Sequence, residues 1–150
     1  MEIHYKDIIL RDYRESDIED DIRWNTVETQ WAAWDAPWET EEDLASFDPG
    51  KFREEELERL KNPPRGFRWS LELDTAEGVH IGGVNAYLID ENLQWVRESD
   101  LKPGQKSFPA LGIEVNESAY WSKGLGTQAL AAYIRYFLDS GREELYLQTW

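Results

Sequence analysis

The sequence predicts an α/β fold, a mixed central β-sheet flanked by helices, on three observations. "GFRWSLELD" and "VHIGGVNAYLID" both suit strands and are separated by a turn at Glu77 and Gly78, so they pair as a hairpin. "LGTQALAAYIRYFLDS" is the strongest helix in the chain and lies between two strand-like segments, "ALGIEV" and "ELYLQTW". A strand–helix–strand unit of this kind crosses over right-handed and leaves its strands parallel, which makes the sheet mixed. The 150 residues suffice for one hydrophobic core, and no linker or repeat divides them, so residues 1–150 read as a single domain.

Along the chain, "EIHYKDIILRDYR" reads as a first strand around residues 8–11. "ESDIEDDIRW" follows as a short helix with Ser16 as its N-cap. "WAAWDAPWE" reads as an aromatic loop interrupted by Pro37. A second helix starts at Thr40, with acids in its first turn where the helix dipole favours them. Asp48, Pro49 and Gly50 interrupt it; "KFREEELERLK" resumes as helix with Phe52, Leu57 and Leu60 on one side, and Pro63 and Pro64 end it. In the next strand Phe67, Trp69, Leu71 and Leu73 share one face, and Arg68, Ser70 and Glu72 the other. Residues 91–108 are polar and read as a long loop. In the last helix Ala129, Leu130, Tyr133, Ile134, Phe137 and Leu138 form an apolar stripe, and Gly141 suits a C-terminal cap.

Composition narrows the function. With 41% hydrophobic and 31% charged residues the chain suits a folded soluble protein. Eight Trp and seven Tyr supply core volume and cleft walls. A net charge of −15 opposes nucleic acid and anionic membrane surfaces and attracts cations such as amines or polyamines, although acidity also serves solubility alone. The absence of cysteine excludes disulfides, thiolate metal sites and a cysteine nucleophile. His4 and His80 lack helical ligand spacing, so no metal site is expected. The N-terminus has no signal-peptide pattern and no apolar run is long enough to span a bilayer, so the expected compartment is the cytoplasm.

The glycines of "YWSKGLGTQAL" stand between a strand and the strongest helix. A helix's first turn leaves backbone N–H groups unpaired at the positive end of its dipole, and glycine allows close approach, a combination that binds phosphate. The spacing is neither a P-loop nor a G-x-G-x-x-G fingerprint. On spacing alone, a phosphate seat and a plain turn stand equal.

"GIEVNESAYWSKGLGTQAL" resembles the acetyl-CoA loop of the GNAT superfamily of N-acetyltransferases, whose motif is Gln/Arg-x-x-Gly-x-Gly/Ala. More narrowly it is similar to the branch of the ribosomal-protein N-terminal acetyltransferases, whose loops often read Y-W-x-K-G-x-G-T; Trp121 stands where Gln or Arg is commoner. The resemblance implies a GNAT-like acyl-CoA N-acyltransferase fold. It implies that backbone N–H groups of Trp121, Ser122, Lys123, Gly124, Leu125, Gly126 and Thr127 hold the pyrophosphate of acetyl-CoA. It further implies that the backbone of Val115 and Asn116 pairs with the pantetheine arm, that this strand and the one at 145–148 splay around the thioester, and that an amine attacks the thioester directly without a metal. The acceptor is then a protein N-terminus or a small cationic amine.

Such a reaction needs a base. Leu111, Ile113 and Val115 alternate with Gly112, Glu114 and Asn116, which puts Glu114 on the face away from the apolar one; it is the candidate base, against a structural ion-pair role. Asn85 on the neighbouring strand is a candidate for orienting the acceptor. Trp31, Trp34 and Trp38, with Asp35 and Glu39 beside them, are candidates for receiving a cationic acceptor through their ring faces, or else form a packed edge of the core. The family's helix and hairpin beyond the last strand, with a Tyr that acts as general acid, have no matching positions. The expectation is therefore a C-terminally incomplete domain, truncated after the strand near 145–149, with an edge open to homodimer pairing. Two other readings stay open: a CoA-binding or regulatory domain without turnover, and an interaction module that binds no CoA.

Overall fold

The sheet grows in sequence order. In the computed structural model, which describes residues 1–148, six strands lie in the order β1-β2-β3-β4-β5-β6. These are β1 (Glu2–Tyr5), β2 (Ile8–Arg11), β3 (Ser70–Thr75), β4 (His80–Asp90), β5 (Ser107–Val115) and β6 (Tyr146–Leu147). Neighbours are antiparallel except β5 and β6, which are parallel, as the strand–helix–strand reading requires. Thr149 and Trp150, the end of the expected last strand, lie outside the described residues.

The first strand is a hairpin rather than one segment. Lys6 and Asp7 turn the chain, with Lys6 at φ 49°, and β1 pairs with β2. Only Ile3 and Tyr5 of β1 reach the core, and its polar residues Glu2 and His4 face water, which is why it does not read as a strand.

The helices are α1 (Asp17–Thr26), α2 (Pro37–Ser46), α3 (Pro49–Leu60) and α4 (Leu125–Asp139). Ser16 occupies the N-cap position of α1, but its side chain makes no cap bond; instead Asp17 Oδ2 accepts the Arg14 N–H at 2.7 Å. The aromatic loop winds into a short 3-10 helix at Gln30–Trp34. Helix α2 starts at Pro37 rather than Thr40, because proline's fixed φ suits the first helical position, and Thr40 is buried with its hydroxyl donating to the Ala32 carbonyl at 3.0 Å. By the same logic Pro49 opens α3, and Asp48 caps it by accepting the Lys51 N–H at 3.0 Å. Of the expected α3 stripe, Phe52 and Leu60 are half-buried and Leu57 is exposed. Strand β5 starts at Ser107, earlier than expected, so the loop spans residues 91–106.

Helix α4 covers one face of the sheet. Ala129, Tyr133 and Phe137 pack without exposure on Ile8, Leu10, Leu71, Leu73, Ile81 and Val84. Ile134 and Leu138, expected in this stripe, are instead 37% and 45% exposed. At about 100° per residue they fall roughly 140° and 180° from the centre of the buried face formed by Leu125, Ala129, Ala132, Tyr133 and Phe137. On the other face lie α1 and the Gln30–Trp34 turn, and between them and the sheet is the site.

Candidate active site

Strands β5 and β6 pair only at Ala110 with Tyr146 and Leu111 with Leu147. Beyond Leu111, among the described residues, no strand lies on that side of β5, and a cleft of about 940 Å³ opens there. Its walls carry Trp31, Trp34 and Asp35 on one side and Gly112, Glu114 and Val115 on the other.

At the mouth stands the start of α4. Ser122 at φ 59° and Gly124 at φ 77° both take left-handed backbone, which brings the chain sharply into the helix. No side chain caps α4, so the N–H groups of Leu125, Gly126 and Thr127 are left for another acceptor. No heavy atom lies within 4 Å of where a Gly124 side chain would project, so the loop is open on that side. Lys123 is exposed, with its ammonium 5.1 Å from the Tyr120 ring centre. Trp121 and Ser122 line the cleft, and the Trp121 indole donates to the Val115 carbonyl at 2.6 Å. The Trp121 N–H is already taken by the Ser118 carbonyl at 3.2 Å. Gly126 serves packing: a Cβ there would touch Ile113 and Val115, each at 3.6 Å. Leu125 is buried in the core. An uncapped helix start beside a cleft is a place where an anionic group is favoured.

Val115 sits on the free edge of β5. The Asn116 N–H instead donates to the Ile81 carbonyl at 2.8 Å, and its side-chain amide reaches Glu114 Oε2 at 3.4 Å. Glu114 faces away from α4, as strand alternation predicts, and opens to the cleft. Glu114 is exposed on its cleft side, yet the walls around it desolvate its carboxyl and push it above the usual range, and the nearby Asp35 carboxylate pushes it further. Burial and Asp35 likewise raise the Tyr87 hydroxyl. Asn85 is paired in register with Gly112, where a Cβ would lie 2.1 Å from Asn85 Oδ1; glycine at 112 is what lets the Asn85 side chain lie across β5 into the cleft.

The three tryptophans separate. Trp31 is half-buried, with its indole donating to the Trp24 carbonyl at 2.7 Å, and lines the cleft. Trp34 lines it too and is 73% exposed. Trp38 lies outside the cleft lining. Ala36, beside Asp35, holds left-handed φ 38° as the N-cap of α2, and both residues line the cleft.

Sequence reasoning passed over Asp21 and Glu72, whose carboxylates line a recess beside Glu114. The signal for Glu72 was its place on the polar face of its strand. Behind them Asp17, Asp20 and His80 bring ligand-type atoms within 4.8 Å of one another. They do not fit a metal ion: Arg11 already binds both Asp17 oxygens at 2.6 and 2.9 Å, and His80 Nε2 lies 3.1 Å from Glu72.

No helix among the described residues is long and apolar enough to cross a membrane. Residues 7–149 match the family of the acetyltransferase (GNAT) domain. No curated protein sequence matches the chain. Among solved structures it is similar to an acetyltransferase of the GNAT family from Bacillus anthracis, with TM-score 0.59 and 12% identity over 98% of this chain and 72% of that one. A GNAT-family acetyltransferase from Bordetella pertussis gives TM-score 0.58 and 14% identity over 98% and 77%. A GNAT N-acetyltransferase from Ralstonia eutropha JMP134 gives 0.52 and 17% over 95% and 83%. At such identities the structures speak for the fold, and the family match carries the membership: the chain belongs to the acetyltransferase (GNAT) domain family, whose reaction is acetyl transfer from acetyl-CoA.

Proposed function

We propose that this chain acetylates a primary amine, a small cationic amine or a protein N-terminus, at the cleft between β5 and β6. The placement of Glu114 carries the reading: a carboxyl with a raised pKa on the cleft wall, beside the free edge of β5 and below the uncapped start of α4. The likeness of the Trp121–Thr127 loop to the ribosomal-protein N-terminal acetyltransferases keeps a protein N-terminus among the acceptors.

Acetyl-CoA, when bound, supplies the acetyl thioester. The N–H groups of residues 122–127 would hold its pyrophosphate, and the Val115 edge its pantetheine arm. An amine is mostly protonated near pH 7 and must lose a proton to become a nucleophile. Glu114 takes that proton, directly or through water, and its raised pKa brings it closer to the amine's and makes it a better base. Asn85 and the Trp31 and Trp34 rings hold the amine against the thioester. The C–N bond forms as the C–S bond breaks, and CoA leaves as the thiol once its sulfur is protonated.

The test is release of free thiol from acetyl-CoA with an amine panel. Glu114→Gln is expected to lower kcat about 10²- to 10⁴-fold and leave CoA affinity within about twofold. Equal loss of both makes Glu114 structural. CoA binding with no amine-dependent thiol release makes the chain a binding domain instead.

A further inference from the structure

Beside the cleft lies a second recess of about 310 Å³, and the two share Trp31, Asn85, Ile113 and Glu114. Strand register builds its floor. Glu72, Gly83 and Glu114 stand side by side across β3, β4 and β5. Gly83 has no side chain, and the Glu72 carboxylate leans over it, with Oε2 3.5 Å from where a Cβ would lie. Asp21 and Trp24 of α1, with Trp31, form the opposite wall.

The recess is short of positive charge. Among the described residues, no lysine or arginine lines it. Asp21 Oδ2 accepts from the neutral Tyr13 hydroxyl at 2.6 Å, and Glu114 from the neutral Asn116 amide. The basic side chains behind it are already engaged, and Arg23, over the Trp24 ring, is held by Asp20 and Glu117. Arg11 binds Asp17 and Asp74, and His80 lies at 3.2 Å from Asp20 and 3.1 Å from Glu72. The carboxylates therefore repel one another: Glu72 contributes to the raised pKa of Asp21, and Asp21 to that of Glu114. A cation placed among them relieves this repulsion, and the half-buried Trp31 indole adds cation–π attraction.

We propose that the recess is a subsite for a second ammonium group, and that the acceptor is a short diamine or polyamine. One amine lies at Glu114 and is acetylated; the other lies between Asp21 and Glu72, against Trp31. The assignment rests on the amine-acetylation reading above. The volume equals roughly ten water molecules at about 30 Å³ each, room for a short aminoalkyl arm. An acceptor with a carboxylate at that end is repelled, and an uncharged alkyl end leaves the carboxylates unpaired. The distal ammonium keeps its proton throughout, and as a like charge it lowers the pKa of the reacting amine, which eases deprotonation by Glu114. The proton lost goes to Glu114, the C–N bond forms, and the C–S bond breaks. The monoacetyl product carries one charge fewer and binds more weakly.

The experiment is calorimetric titration of the full chain, saturated with CoA, with 1,4-diaminobutane, butylamine and 4-aminobutanoate. The diamine is expected to bind at least tenfold more tightly than butylamine, and 4-aminobutanoate most weakly. Asp21→Asn and Glu72→Gln, each checked for native circular dichroism, are expected to shrink the diamine preference at least fivefold. Butylamine binding as tightly as the diamine overturns the subsite, as does a diamine preference that survives both substitutions. Thiol release from acetyl-CoA separates the two readings. Equal turnover of all three amines removes the subsite and leaves the acetyltransferase. Diamine-selective binding with no turnover of any amine leaves the subsite and removes the acetyltransferase.

Discussion

Asp21→Asn should make the protein more stable at pH 8, and the structure sets the size. Burial and the neighbouring Glu72 push the Asp21 carboxyl from 3.8 up to about 6. The folded chain therefore holds this proton more tightly than the unfolded chain does. Stability from this group is fully present below 3.8 and is lost as pH rises toward 6. A gap of about two pH units corresponds to roughly 3 kcal/mol at about 1.4 kcal/mol per unit. Asp21 is half-buried and its surroundings relax, so about 1–3 kcal/mol is the working range. Asparagine removes the charge but keeps an oxygen for the Tyr13 hydroxyl. For a chain of this size the gain raises Tm by about 2–4 °C per kcal/mol. Urea unfolding and thermal melts at pH 4 and pH 8 measure it: a clear gain at pH 8 that nearly vanishes at pH 4. A variant no more stable than the parent at pH 8, or a gain independent of pH, refutes the reasoning.

Other outcomes follow from the same geometry. Gly124→Val forces a β-branched residue to φ 77° and is expected to destabilise by about 1–2 kcal/mol or more; its CoA affinity, measured on the folded fraction, should fall at least tenfold. Gly112→Ala puts a Cβ 2.1 Å from Asn85 Oδ1 and should cost about 1–3 kcal/mol in denaturant unfolding. Adding Asn85→Ala to that variant should restore more than half of the loss. Because Glu114 must be ionised to act as base, kcat/KM should rise with pH through its raised pKa, and Glu114→Gln should flatten that limb of the profile.

Legibility in the sequence followed physical rules. Strands β3, β4 and β5 and helix α4 carry strong alternation or strong periodicity, and each forms within its segment, although β3 begins only at Ser70, beyond Phe67 and Trp69, and β5 begins early at Ser107. Alternation also turned Glu114 away from the apolar face, and the structure sets it on the cleft. Strand β1 was invisible because its polar residues face water. Pro37 and Pro49 read as interruptions, yet each opens a helix, the one position where the missing N–H costs nothing. Ala129, Tyr133 and Phe137 of the apolar stripe are buried, but the angle at which α4 meets the sheet turns Ile134 and Leu138 outward and buries Ala132. Asp21 and Glu72 were hidden for another reason. Their convergence depends on the register that aligns Glu72, Gly83 and Glu114, and on where α1 crosses, and no single segment encodes either.

Calorimetric titration of the full chain with CoA and with acetyl-CoA tests the central claim most directly. A cleft between parting strands, capped by the open start of α4, predicts saturable heat at one site for both compounds. No heat at high protein concentration would contradict the assignment of the cleft.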